Sequence, residues 1–255
     1  MFAFTKYIMY LVCLVINMNF LLDTHTHTIA SGHAYSTITE MVNAAKEKGL
    51  QLLGISEHAP AMPGSCKEIY FSNLNVFSDK IKDIQLLFGI ETNVLDYKGN
   101  IDVSMKTLSG LNYGIASLHT PCITPGSRQE NTSAYLHVME HPYIHVIGHP
   151  DDSRYPVDYK ALVKQAKETK VLLEVNNTSL SPNSFRANAR ENYKEMLSLC
   201  ATENVPIIVN SDAHISFDVG NFEYAISLLK EIDFPTSLIA NTSVETYLSL
   251  IKQKS

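Results

Sequence analysis

Residues 20–27 read Phe-Leu-Leu-Asp-Thr-His-Thr-His, an apolar run that ends on two histidines one residue apart. The same pattern recurs along the chain. Apolar runs at Phe20–Thr24, Leu52–Ser56, Leu86–Ile90, Tyr113–Leu118, Ile144–Gly148, Val171–Val175 and Ile207–Asn210 have the length and composition of buried strands. The residues that follow them are His25, Glu57-His58, Glu91, His119, His149, Asn176 and Ser211-Asp212, all polar or able to coordinate a metal. Helical stretches lie between the runs at Thr37–Lys48, Ser133–Glu140, Asp158–Thr169, Ala187–Glu203 and Phe222–Glu231. Thr37 and Glu40 fit a capping box, and Gly49 suits a helix stop. Residues 60–82 and 93–111 read as loops with short helical turns. Strand–helix alternation of this kind predicts an α/β fold with a mainly parallel sheet. In parallel barrels the C-terminal strand ends share one face, where active sites lie. That geometry would gather the seven strand-end residues in one place.

Composition narrows the function. Of 255 residues, 45% are hydrophobic and 18% charged, as expected of a globular chain with a substantial core. The formal net charge of −6 provides no overall positive field, so long nucleic acid is not an expected partner. A small anionic substrate would have to be captured locally, by metal ions or a few arginines. Cys13, Cys66, Cys122 and Cys200 are scattered without a C-x-x-C pair, which argues against a zinc ribbon or disulfide framework and for a reducing compartment such as the cytoplasm. Residues 1–18 form an apolar extension. Its run Phe2–Ile16 falls short of the roughly 20 residues that a membrane-spanning helix needs. It reads either as a signal-like segment without a small-residue cleavage site, or as sequence upstream of a true start at Met18. Residues 19–255 are then expected to form one domain.

The chemistry lies in the histidines and carboxylates. His25 and His27 stand at i and i+2 on extended chain, so both rings can reach one ion, and His33 follows in a Ser-Gly-His turn. Asp23 could orient a ligand or pair with backbone. Glu91 can bridge two ions through its two oxygens. His58, His119, His149, Asp212 and His214 complete nine candidate ligands, each at or beside a strand end. Nitrogen and oxygen donors without cysteine suit two or three divalent ions such as Zn²⁺, Mn²⁺ or Fe²⁺. Closely spaced ions can hold a phosphoryl oxygen and generate hydroxide near neutral pH. His137, His141 and His145 are spaced like a helical stripe with His149, but Pro142 interrupts it, so these three are expected outside the site.

No G-x-S-x-G elbow, P-loop or G-x-G-x-x-G is present. A nucleophilic Cys122 beside His119 is conceivable, although the ring is better used on a metal. Arg128, Arg154, Arg186 and Arg190 all follow strand ends. Since arginine grips phosphate bidentately, Arg128 and Arg186 are candidate substrate anchors.

Taken together, DTHTHTIASGHAYST (23–37), SEHAP (56–60), GIETN (89–93), SLHTP (117–121), VIGHP (146–150) and NSDAH (210–214) resemble the PHP (polymerase and histidinol phosphatase) family, in its YcdX-like phosphatase branch. The likeness spans about residues 19–250. It implies a single-domain, distorted (βα)7 TIM-like barrel with a trinuclear, usually zinc, site and phosphatase activity through a metal-bound hydroxide. By motif, His25, His27, Glu91 and Asp212 would hold one ion. Glu91, His119 and His149 would hold a second, and His33, His58 and His214 a third. Glu57 stands where relatives often carry Asp. The resemblance implies a small phosphomonoester as substrate. Alternatives are histidinol phosphate in particular, a phosphodiester or nuclease substrate, or a metal-binding module without turnover.

Overall fold

In the computed structural model, which describes residues 18–77 and 81–254, the seven apolar runs form seven parallel strands in chain order. Along the chain the elements are β1 (Leu22–Asp23), α1 (Ile38–Glu47), β2 (Leu52–Ile55), α2 (Glu68–Ser72), β3 (Gln85–Asn93), α3 (Met105–Leu108), β4 (Tyr113–Ser117) and α4 (Arg128–Val138). There follow β5 (Val146–Ile147), α5 (Tyr159–Thr169), β6 (Leu172–Asn176), α6 (Ala189–Glu203), β7 (Ile207–Asn210), α7 (Glu223–Glu231) and α8 (Val244–Lys252). The apolar segment at residues 1–17 lies outside the described residues. Among those described, no helix is long and apolar enough to cross a membrane.

The helices face the strands through regular apolar stripes. In α1, Ile38, Met41, Val42 and Ala45 are buried, and in α5, Tyr159, Leu162, Val163 and Ala166 repeat that spacing. Thr37 and Glu40 form the expected capping box. A second box, Ser127 with Glu130, starts α4 at Arg128, five residues before its expected start at Ser133. Helix α8 was not anticipated; its Tyr247 and Ile251 pack with the inward residues of the strands.

The sheet curves into a nearly closed, distorted (βα)7 barrel of one domain. Strand β3 carries the distortion. Its first half, Gln85–Phe88, pairs with β2, and its second half, Gly89–Asn93, pairs with β4. Glu91 therefore sits inside a strand rather than after one. The barrel interior is layered, as period-2 alternation requires. One inward residue per strand (Leu22, Leu52, Leu87, Ile115, Val146, Leu172, Ile208) belongs to an apolar cluster with Tyr113. The Tyr113 ring crosses the barrel and its hydroxyl donates to the Thr24 carbonyl at 2.6 Å. Gly54 and Gly89 leave room for it, since a Cβ on either would come within 2.4 Å of the Tyr113 side chain. Two residues further along each strand come Thr24, Gly54, Gly89, Ser117, Gly148, Glu174 and Asn210, a layer of polar groups and glycines.

Between β7 and β1 the join is made by side chains and isolated bonds. Asn210 Oδ1 accepts from the Thr24 N–H at 2.9 Å, which draws Thr24 out of the strand ladder and leaves β1 short. The Asn241 amide donates to the carbonyls of Leu22 at 2.9 Å and Val209 at 2.6 Å. At the mouth, the His27 N–H bonds the Ala213 carbonyl at 2.8 Å.

Candidate metal centre

Above the polar layer, the nine candidate ligands come together. Glu91 is the hub. Its Oε1 lies 3.4 Å from His25 Nε2, 3.2 Å from His119 Nε2 and 2.9 Å from His149 Nε2. Its Oε2 lies 3.6 Å from His27 Nε2 and 2.6 Å from His58 Nδ1. Asp212 Oδ1 is 3.6 Å from His25 Nε2 and 3.2 Å from His27 Nε2. At the outer edge, the His33 ring centroid stands 4.8 Å from that of His58 and 4.9 Å from that of His214.

Two observations say that these atoms suit cations. His25 Nε2, His27 Nε2, His58 Nδ1 and Glu91 Oε2 are buried and have no hydrogen-bond partner, although buried polar atoms are normally paired. Spacing is the second. A tetrahedral ion with bonds of about 2.0–2.1 Å places neighbouring donor atoms about 3.3 Å apart. The His25–Glu91, His27–Asp212 and His119–Glu91 separations lie within 0.1 Å of that value. Among the described residues, four ligand triads have donor atoms mutually within 4.8 Å, including His27, His58 and His214, and His25, His149 and Asp212.

The surroundings prepare the rings for this task. His25 Nδ1 meets Glu174 Oε1 at 2.7 Å, and His119 Nδ1 meets Asn93 Oδ1 at 2.7 Å. His27 Nδ1 lies 3.1 Å from Ser31 Oγ, and His214 Nδ1 lies 2.9 Å from the Asp212 carbonyl. Each partner accepts, so all four rings carry a proton on Nδ1 and turn Nε2 away from that partner. Ser31 in turn donates to Glu57 Oε2 at 2.6 Å, which gives the Glu57 carboxylate an indirect hold on His27. Asp23 pairs instead with the Ser211 hydroxyl at 2.5 Å and with the Gly220 N–H at 2.9 Å. Burial pushes its carboxyl up to about 6.

Charge follows the same division. Desolvation opposes ionisation of Glu91, but His119, His25 and His58 hold its carboxyl well below the usual range. Asp212 is likewise held down, against desolvation, by His25, His27 and His214. Desolvation together with His58 and His214 keeps His27 well below the ordinary imidazole range and lowers His33 to about 4. His149 and Asp212 also adopt positive φ angles of 32° and 57°, uncommon for residues other than glycine.

A cleft of about 550 Å³ opens onto the cluster and is lined by His119, His149, Asp212, His214, Arg154 and Arg186 among others. Arg186 makes no side-chain hydrogen bond among the described residues. Although desolvation opposes its charge, Asp151 and Asp212 keep it fully protonated. Arg154 is gripped by Asp152 through Nε at 2.8 Å and Nη2 at 2.5 Å, and stacks 5.0 Å over the exposed Phe185 ring. The structure does not bring Arg128 to this cleft. It is the first residue of α4, its Nε donates to the Val157 carbonyl at 2.9 Å, and it lines a separate hollow with Leu136 and Asp158. Position after a strand end placed it on the right face in sequence, but the Ser127 cap turns it aside. His137, His141 and His145 lie away from the cluster, the last accepting from the Gly114 N–H at 3.1 Å.

Sequence reasoning missed Glu174 and Asn93; Arg154 was noted after a strand end but not singled out as an anchor. Glu174 is the instructive one: a charged residue two positions beyond Leu172, on the inward face of a strand, has to have partners in the barrel.

Comparison with known proteins places the chain in a family. The PHP domain model matches residues 23–207. A protein of Clostridium novyi named "probable phosphatase" is 44% identical over 237 residues, covering 93% of this chain and 96% of its own. A probable phosphatase of Acetivibrio thermocellus is 41% identical, with 93% and 97% covered. Among solved structures, histidinol phosphate phosphatase of Lactococcus lactis, complexed with zinc, L-histidinol and phosphate, superposes with a TM-score of 0.57 at 18% identity, over 84% of this chain and 94% of the other. At that identity the likeness establishes the fold. Barrel, ligand cluster and full-length relatives together define a metal-dependent phosphatase. The chain belongs to the PHP domain family.

Proposed function

We propose that the chain hydrolyses a small phosphomonoester at three divalent ions, zinc foremost, with manganese or iron as alternatives. His25, His27, Glu91 and Asp212 hold one ion, and Glu91, His119 and His149 the second. His33, His58 and His214 hold the third. The observation that carries this reading is the set of buried, unbonded donor atoms turned towards Glu91. When bound, such ions polarise a phosphoryl oxygen and activate water near neutral pH. The protein's own contribution is positioning. Arg186 offers a guanidinium with free donors at the cleft and anchors the phosphate, as planar bidentate donors do. The cleft, about 550 Å³, is of a size that suits a small-molecule ligand.

Metal content measured by mass spectrometry tests the reading, together with turnover of p-nitrophenyl phosphate before and after chelation. The expected result is three ions per chain, with activity lost on chelation and restored by Zn²⁺ or Mn²⁺. Fewer than two tightly held ions after reconstitution, with no turnover of any phosphate ester, would sink it. A panel including histidinol phosphate, sugar phosphates and nucleotides then identifies the leaving group.

A further inference from the structure

We infer that Glu174 positions the ligands of two different ions at once, so that its loss weakens these two ions together and spares the third. The inference rests on the three-ion assignment proposed above. Glu174 is fully buried on β6, on the inward face of the barrel. Its Oε1 meets His25 Nδ1 at 2.7 Å and accepts from Asn210 Nδ2 at 2.8 Å. Its Oε2 accepts from the His149 backbone N–H at 2.8 Å and from Asn176 Nδ2 at 3.3 Å. The same Asn176 amide donates to Asp212 Oδ2 at 3.0 Å.

One carboxylate, with all four acceptor positions filled, thus fixes three candidate ligands drawn from three other strand ends. It sets the tautomer of His25 and, through Asn176, the orientation of Asp212; both belong to the first ion. It also ties down the backbone of His149 in its φ of 32°, and His149 belongs to the second ion. None of its bonds reaches His33, His58 or His214. A carboxylate behind a ligating imidazole raises the basicity of the ring and holds its direction, and removing such a partner costs about 10–100-fold in metal affinity. Here the loss should fall on two ions together.

The test uses full-length protein and the substitution Glu174→Gln. The amide keeps the shape, but its nitrogen can only donate, so it confronts two of the four donors that the carboxylate accepts. Zinc is loaded, then withdrawn with a graded chelator, and the bound zinc is counted at each step. The expected result is two zinc ions released together at about 10–100-fold lower chelator activity than in the wild type, with the third ion and the circular dichroism of the metal-free protein unchanged. Retention of all three ions with wild-type affinity would overturn the inference, as would equal loosening of all three. If E174Q fails to fold, E174D is read by the same criteria; it keeps the charge but falls about one methylene short of its partners. A wild-type chain that binds fewer than three ions instead removes the underlying assignment, and that is seen before any variant is made.

Discussion

Asn93 holds His119 from behind. Its Oδ1 lies 2.7 Å from His119 Nδ1, while its Nδ2 donates to Asp102 Oδ2 at 2.7 Å and to the Ala59 carbonyl at 3.2 Å. Both ends of the amide are thereby committed, and the ring can point only its Nε2 towards Glu91. Replacing Asn93 with alanine should lower affinity for the ion held by His119 about 10–100-fold. Zinc competition against a chromogenic chelator measures this directly. An unchanged affinity would mean that the ring needs no support.

Gly148 is required by space rather than by backbone angle. A Cβ there would lie 2.3 Å from Ser117 Oγ and 2.9 Å from Ile115 Cγ2. Gly148→Ala should therefore destabilise the protein by about 1–3 kcal/mol, the usual cost of overpacking. Ser117 Oγ is itself buried without a partner, so Ser117→Ala alone should be near neutral. Combined with Gly148→Ala, it should recover part of the loss. Urea midpoints of the two single variants and the double variant, all metal-free, decide the matter.

The two arginines first singled out should separate cleanly. Arg186→Ala is expected to reduce kcat/KM by about 10–100-fold, the scale of a lost charge-assisted clamp. Arg186→Lys should restore only part of it, because an ammonium cannot reproduce the planar fork. Arg128→Ala should leave kcat/KM unchanged, since its guanidinium faces Val157 and not the cleft. Equal effects at both positions would contradict the placement of Arg186 at the phosphate.

Acid stability should depend on His145. Burial, opposed by a backbone hydrogen bond, pushes this imidazole down to about 4 in the folded protein. The unfolded chain protonates it near 6.5, so between about pH 6.5 and 4 the unfolded state binds more protons than the folded one. Stability is therefore highest above that window and is lost as pH falls through it, by about 2 kcal/mol at pH 5. Asparagine can accept the Gly114 N–H as His145 does without titrating. In metal-free protein, His145→Asn should flatten the decline in urea midpoint between pH 7 and 5. An identical decline in both proteins would assign the acid sensitivity elsewhere.

The sequence exposes what lies at strand ends and hides what lies within them. His25, His119 and Asp212 were legible because each interrupts an apolar run just where a barrel opens its mouth. Glu174 was not, because Val-Leu-Leu-Glu-Val reads as one buried strand and its partners, His25, His149 and Asn210, stand 149, 25 and 36 residues away. Its signal was a phase relation: Thr24, Glu174 and Asn210 each fall two residues past an inward leucine or isoleucine, so they share a layer. Glu91 was placed after its strand, yet β3 runs on to Asn93 because its second half pairs with β4. Arg128 was misjudged because the cap at Ser127 went unread, and capping decides where a helix begins and which way its first side chain turns.

The side-chain closure between β7 and β1 joins residues that stand far apart in sequence. His25 and His27 lie nearly two hundred residues before Asp212 and His214, and the seam between them is tied by Asn241, later still in the chain. The ligand cluster therefore draws on both ends of the barrel sequence, and its geometry depends on a seam tied by side chains rather than by a continuous strand ladder.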